Sequence, residues 1–235
     1  GIKNTYGTGG FMLMNTGDKI VESNNGLLST VAWQIGDKVD YALEGSIFVS
    51  GSLMKWLRDQ MQLFENTKET QAMAESVENT NGVYIVPAFV GLGAPYWDDA
   101  CQASILGLTF GANKNHIVRA ALESMAYQSK DVLDAMKQDS QINISSLKVD
   151  GGAAANDFLL QFQSDLLQMP VQRFKTNELT ALGAAYLAGL SCGYWTHEEL
   201  GVDLQKEFVP EKTSKEMDQL YSNWKKAVKT CQSYK

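Results

Sequence analysis

The sequence has 235 residues and an ordinary globular composition, with 44% hydrophobic and 20% charged residues, which argues against a disordered chain or a coiled coil. Its 20 basic and 27 acidic residues give a net charge of −7 without a basic stripe, so neither nucleic-acid binding nor a membrane partner is expected. Its two histidines are far apart in the sequence and do not predict a metal site. Its three widely spaced cysteines do not predict a disulfide framework, and they favour a reducing, cytoplasmic location.

The first fifty residues are predicted to be mainly β-structure. Two extended runs flank the glycine turn at residues 7–10, an apolar run covers residues 27–33, and apolar residues alternate with polar ones over 39–43. We expect these strands to form an antiparallel meander. After Ser50 the apolar residues recur every three or four positions, which predicts a helix, and a more polar helix follows over residues 67–77.

The remainder of the chain alternates between strands and helices. In order, the patterns predict a strand over 83–89, a long helix capped by Asn115, a strand over 147–149, a helix over 156–167, a strand over 171–174, and helices over 179–190 and 214–230. A group of strands followed by such units predicts an α/β fold, with a mixed sheet flanked by helices. One domain over residues 1–235 is the simplest interpretation.

Three glycine-bearing junctions are candidate ligand sites. They are the turn at residues 7–10, the helix start at Gly51 with Lys55 one turn later, and the strand-to-helix junction from Gly151 to Asn156. Each of them alone is better explained by an ordinary turn or helix cap. Three in one domain are what a nucleotide cleft without a Walker motif needs, because backbone N–H groups and helix N-termini hold phosphates.

Several stretches of the sequence resemble a known family. They are NTYGTG at 4–9, PAFVGLGAPYW at 87–97, VDGGA at 149–153 and LTALGAAYLAG at 179–189. Together they are similar to the glycerol kinases of the FGGY family of carbohydrate kinases. Residues 103–108 and 116–123 resemble a second signature of that family, and the similarity runs from about residue 4 to about residue 230.

The resemblance implies a ribonuclease-H-like, actin-like ATPase fold, in which two domains surround an ATP cleft. It implies that residues 1–235 are the C-terminal, nucleotide-binding domain and that the N-terminal domain is absent, which agrees with the missing initiator Met at Gly1. The catalytic Asp of the family, its first phosphate loop and its Mg²⁺-positioning carboxylates lie upstream of the matching segment. No catalytic residue is therefore expected here, and we predict that the chain alone is inactive, because phosphoryl transfer needs groups from both sides of the cleft.

The family's site residues transfer to matching positions of this sequence. Thr8 matches the threonine that binds the nucleotide phosphates, and Phe11 matches an aromatic residue that lines the glycerol pocket. Lys55 stands where the family usually has Gln, and it could still reach a phosphate. The resemblance thus implies nucleotide binding by Gly7, Thr8, Gly51, Lys55, Gly152 and Asn156.

The resemblance implies an ATP-dependent kinase that phosphorylates glycerol to sn-glycerol 3-phosphate, with Mg²⁺ carried by ATP or ADP and by the missing domain. The implied partners are glycerol, ATP, that N-terminal domain and further copies in a homo-oligomer. Two alternatives stay open. One is a kinase of another polyol or sugar, against which Phe11 argues. The other is a non-catalytic nucleotide-binding or oligomerisation module.

Overall fold

The computed structural model of the protein describes residues 1–234. Its strands are β1 (Ile2–Tyr6), β2 (Gly10–Gly17), β3 (Leu28–Ile35), β4 (Lys38–Ile47), β5 (Tyr84–Val86), β6 (Ser104–Leu106), β7 (Leu147–Asp150), β8 (Val171–Phe174) and β9 (Leu204–Phe208). Its α-helices are α1 (Gly51–Asp59), α2 (Glu69–Glu75), α3 (Lys114–Ser140), α4 (Asp157–Leu167), α5 (Leu179–Ser191) and α6 (Ser214–Ser233). No helix within this range is long and apolar enough to cross a bilayer.

Seven strands form one mixed sheet in the order β3-β4-β2-β1-β7-β8-β9. The β1–β7 and β7–β8 pairs are parallel and the other pairs are antiparallel. β5 and β6 form a separate two-stranded antiparallel sheet. The predicted α/β fold with a mixed sheet flanked by helices is thus confirmed.

The predicted meander is wrong in strand order. β4 lies between β2 and β3, so the chain passes over residues 18–27 to the sheet edge before returning inward. Burial explains this order: β4 buries every second residue or more, whereas most residues of β3 are exposed. The strand with the stronger apolar face takes the inner position, because it gains more from being covered.

The long helix α3 forms the centre of the core. Its N-cap is Asn113 rather than the predicted Asn115: the Asn113 side chain accepts hydrogen bonds from the N–H groups of Asn115 (2.9 Å) and His116 (3.4 Å), while His116 Nδ1 accepts from Asn113 N–H (3.1 Å). This reciprocal arrangement satisfies donors at the helix start and decides which asparagine is the cap. In the core, the Tyr127 ring stacks on Trp224 with ring centroids 5.3 Å apart.

A buried carboxylate ties α6 to α3. Asp131 accepts hydrogen bonds from Tyr221 Oη (2.5 Å), Trp224 Nε1 (2.8 Å), Tyr96 Oη (2.9 Å) and Lys225 Nζ (3.0 Å). Burial, together with the Asp131 charge, raises the pKa of Tyr96 and of Tyr221, so both hydroxyls stay protonated donors. The cluster thus joins α3, α6 and the loop containing Tyr96.

Two elements escape sequence-based prediction. β6 has only three residues, and β9 reads LQKEF, with only Phe208 buried, so neither shows the apolar alternation of a strand.

A contact between two thiols also could not be predicted from the sequence: Cys101 Sγ lies 2.7 Å from Cys231 Sγ. These residues are 130 positions apart, and only the packing of α6 brings them together.

Candidate functional site

A cavity of about 700 Å³ opens beside the β1–β2 turn. One wall is formed by that turn and the start of α1. The opposite wall is formed by the segment from Gly152 to Asn156 and by residues at the start of α2. Three of the predicted glycine-bearing junctions therefore meet at one place, although they lie up to about 150 residues apart in the sequence.

The β1–β2 turn and the start of α1 are locked together by backbone hydrogen bonds. Thr8 O accepts from the N–H groups of Ser50 (3.0 Å) and Ser52 (3.1 Å), and Gly51 N–H donates to Gly7 O (2.9 Å). A Cβ atom on Gly51 would lie 2.6 Å from Gly7 O, so only glycine permits this approach. Within residues 1–234 no hydrogen bond engages the exposed Thr8 hydroxyl, which leaves it available to a ligand.

Two adjacent glycines at the end of β7 have different roles. Gly151 has φ +90°, and a Cβ atom there would collide with the backbone of Tyr6. Gly152 has no atom within 4 Å of its Cβ position and lines the cavity. Gly151 is therefore required by the backbone, whereas Gly152 leaves open space that a ligand can occupy.

Asn156 is the N-cap of α4 and also holds α2 in place. Its Oδ1 accepts from Leu159 N–H (3.1 Å), and its Nδ2 donates to Thr70 Oγ1 (3.2 Å). Gln71 Oε1 accepts from Asp157 N–H (3.0 Å). These contacts attach α2 to α4, so the cavity has a fixed second wall.

The floor of the cavity is apolar, and the charged side chains that line the cavity are positive. Tyr6, Met54 and Leu122 are buried beneath the opening. Lys55 and Lys68 are the charged residues of the described lining, which contains no carboxylate. An apolar floor with cations beside it suits a ligand that has a flat ring and an anionic group.

The structure brings six of the seven predicted site residues to this cavity, namely Gly7, Thr8, Gly51, Lys55, Gly152 and Asn156. Phe11 lies elsewhere: it is on β2, 46% exposed, and outside the cavity lining. Residues on the α2 side were missed, namely Thr67, Lys68, Thr70 and Gln71. No motif marks them, because they reach the cavity only through the contacts between α2 and α4.

The first residue of α4 carries a prediction about stability and pH. Asp157 pairs with Arg173 Nη1 (2.7 Å) and Lys206 Nζ (2.6 Å). Burial acts to raise the pKa of Asp157, but the hydrogen bonds from Lys206 and Arg173 outweigh it, and the pKa is lowered. A lowered pKa in the folded state contributes stability that is present above the unfolded value of about 4 and is lost as pH falls through the folded value.

We therefore expect Asp157→Asn to lower the free energy of unfolding by about 1 kcal/mol at pH 7, a modest value because the carboxylate is partly exposed. Urea unfolding at a series of pH values measures it. The difference between the two proteins should shrink as pH falls below about 4. A difference that stays constant down to pH 2 would contradict the assigned role of this ion pair.

Comparison with known proteins agrees with these features. A family model described as the C-terminal domain of the FGGY family of carbohydrate kinases matches residues 2–192. The glycerol kinase of Bacillus velezensis is 57% identical over 236 residues, and that of Bacillus subtilis is 56% identical; each match covers 99% of this chain and 48% of the relative. The chain therefore spans about half the length of the curated relatives it matches.

Solved structures give the same result for the fold. The glycerol kinase of Plasmodium falciparum, determined with ADP, superposes with a TM-score of 0.90 at 40% identity, covering 98% of this chain and 47% of that one. The gluconate kinase of Lactobacillus acidophilus superposes with a TM-score of 0.82 at 22% identity, covering 99% and 48%, and it supports the fold alone. The predicted actin-like ATPase fold is confirmed.

Proposed function

The chain belongs to the FGGY family of carbohydrate kinases, whose C-terminal domain it matches, and from this we propose that residues 1–235 are the nucleotide-binding domain of a cytoplasmic, ATP-dependent glycerol kinase. The observation that carries the proposal is the meeting of Gly7, Thr8, Gly51, Lys55, Gly152 and Asn156 around one cavity. The similarity to a glycerol kinase determined with ADP supports it. The complete enzyme transfers the γ-phosphoryl group of ATP to glycerol and releases sn-glycerol 3-phosphate.

In this proposal the two ends of the cavity bind different parts of the nucleotide. The Thr8 hydroxyl and the N–H groups of the glycine turn hold phosphate oxygens, with Lys55 adding positive charge. The open space at Gly152 admits the flat base above the apolar floor formed by Met54 and Leu122. Asn156 fixes the wall beside the base through its contact with Thr70 (3.2 Å).

Mg²⁺ is bound through the nucleotide rather than by this cavity. Magnesium prefers oxygen ligands, particularly carboxylates and phosphates, and the described lining of the cavity holds no carboxylate.

The catalytic base and further glycerol contacts are assigned to an amino-terminal half, with Phe11 as this chain's contribution to the glycerol pocket. Such a kinase closes its domains around the substrates to exclude water, and we expect it to be a homo-oligomer.

Glycerol is favoured over other polyols and sugars by the degree of similarity. The curated glycerol kinases are 54–57% identical to this chain, whereas the solved gluconate and xylulose kinases are 18–22% identical. A pocket shaped for a larger sugar would need different contacts, and these reside mainly in the amino-terminal half. Joining this chain to such a half and comparing turnover of glycerol, xylulose and gluconate tests the assignment.

The nucleotide assignment is tested by calorimetric titration of the purified chain with ADP. We expect weak but measurable binding, and we expect Thr8→Val to weaken it about fivefold to tenfold, because a hydroxyl hydrogen bond to a charged oxygen is lost. Thr230→Val, at an exposed position on α6, is the matched control and should leave binding unchanged. Undetectable ADP binding by the unaltered chain would contradict the assignment, and glycerol phosphorylation by this chain alone would contradict its expected inactivity.

A further inference from the structure

We propose that Lys68 is a further specificity-determining residue, which acts with Lys55 to make the cavity select nucleotides by the charge of their phosphate groups. The inference rests on the proposed nucleotide site and extends it to the α2 side of the cavity. Lys68 immediately precedes α2 and lines the cavity together with Lys55 from α1. Neither lysine forms an ion pair within residues 1–234.

The carboxylates near the cavity are committed to other partners. Asp157 pairs with Arg173 and Lys206 (2.7 and 2.6 Å), and Glu69 Oε1 accepts from Asn66 N–H (2.7 Å). Glu75 accepts a hydrogen bond from Gln71 Nε2 (3.0 Å). None of these three acidic residues belongs to the cavity lining. Among residues 1–234, therefore, no carboxylate lines the opening, and none lies within ion-pair distance of either lysine.

Asp59, four residues after Lys55 on α1, is held by a different cation. The hydrogen bond from Arg58 is the main reason that the pKa of Asp59 is lowered, and Lys55 contributes least among the influences on it. The same contact is an ion pair of 2.6 Å between Arg58 Nε and Asp59 Oδ1. Arg58 thus holds the Asp59 carboxylate, which forms no ion pair with Lys55 within residues 1–234.

The size of the cavity makes both charges effective on one ligand. A volume of about 700 Å³ corresponds to a cube with an edge of about 9 Å, its cube root, which is close to the Debye length of about 8 Å at physiological salt. Salt therefore weakens, but does not remove, the attraction of the two lining lysines for a phosphate group inside the cavity. The chain as a whole carries a net charge of −7 and would otherwise repel such a ligand.

This arrangement predicts that the contribution of Lys68 grows with ligand charge. In Lys68→Gln, which removes the charge but keeps a hydrogen-bond donor, we expect ADP to bind about fivefold more weakly, AMP about twofold more weakly, and adenosine unchanged. The ADP affinity of the variant should also fall less steeply as salt is added. Calorimetric titrations of the full chain with these three ligands, at low and physiological salt, provide the measurement.

Two further variants separate charge from other effects. Lys68→Arg keeps the charge and should restore ADP affinity, whereas Lys215→Gln makes the same change of net charge at an exposed position on α6 and should have no effect. Suppose that the unaltered chain binds ADP, so that the proposed function stands. Equal weakening of ADP and adenosine binding by Lys68→Gln, or no weakening of ADP binding, would then overturn the inference. Absence of ADP binding by the unaltered chain would instead overturn the proposed function itself.

Discussion

Gly152→Trp is expected to weaken ADP binding about 100-fold or more while the protein stays folded. The Cβ position of Gly152 has no atom within 4 Å and faces the cavity, so an indole ring would fill the space assigned to the base. The substitution adds no backbone strain, because Gly152 lacks the positive φ of its neighbour Gly151. Calorimetric titration with ADP measures the loss, and circular dichroism with thermal unfolding measures the fold.

The adjacent glycine supplies the opposite control. Gly151 has φ +90° and lies against the Tyr6 backbone, so Gly151→Ala should lower the free energy of unfolding by about 3 kcal/mol through strain and collision. Gly152→Trp would thus lose ADP binding and keep its stability, whereas Gly151→Ala would lose stability. If Gly152→Trp bound ADP with the affinity of the unaltered chain, the base could not lie at this junction.

Asp131→Ala is expected to lower the free energy of unfolding by about 4 kcal/mol, because four donors, including the buried Trp224 N–H, would lose their acceptor. The Asp131 side chain is 0% exposed, so water cannot replace the lost contacts. For a protein of this length the melting temperature should fall by about 10 °C. Guanidinium unfolding followed by tryptophan fluorescence measures the change, since Trp224 belongs to the cluster (2.8 Å).

A pair of milder variants tests whether the loss comes from the buried cluster. Lys225→Ala should cost only about 1 kcal/mol, because the lysine is 47% exposed and its ion pair is partly screened. Asp134→Ala removes a carboxylate on the same helix that is 32% exposed and forms an i,i+4 pair with Lys130 (3.2 Å), and it should cost less than 1 kcal/mol. Similar losses for Asp131→Ala and Asp134→Ala would show that burial does not decide the effect.

Local signals in the sequence, together with the resemblance, led to six of the residues that line the cavity. Glycines at positions 7, 51 and 152 mark sharp junctions that are readable without a fold, and the resemblance to the FGGY family assigned Thr8 and Asn156. The same reasoning did not find the wall formed by α2. Thr67 and Lys68 have no motif, and they reach the cavity only because Thr70 and Gln71 contact the start of α4.

Phe11 was assigned to the glycerol pocket and not to the nucleotide cavity, so its position outside the cavity does not test that assignment. It follows the glycine turn as the resemblance requires, yet it lies on β2 outside the cavity. Alternation along a strand sends successive side chains to opposite faces. Phe11 therefore points away from its buried neighbour Met12, and its assignment to a glycerol pocket remains a prediction that depends on the amino-terminal half.

By itself, the sequence determined the alternation of strands and helices, the glycine junctions and the absence of a metal or disulfide pattern, because these depend on periodicity and composition along the chain. The tertiary structure alone decided that β4 separates β2 from β3, that Cys101 contacts Cys231 (2.7 Å), and that Lys68 joins Lys55 at one cavity. Each of these depends on which distant segments bury their apolar faces together. The free energy of the whole core decides which segments pair, so this pairing cannot be read from any single stretch of residues.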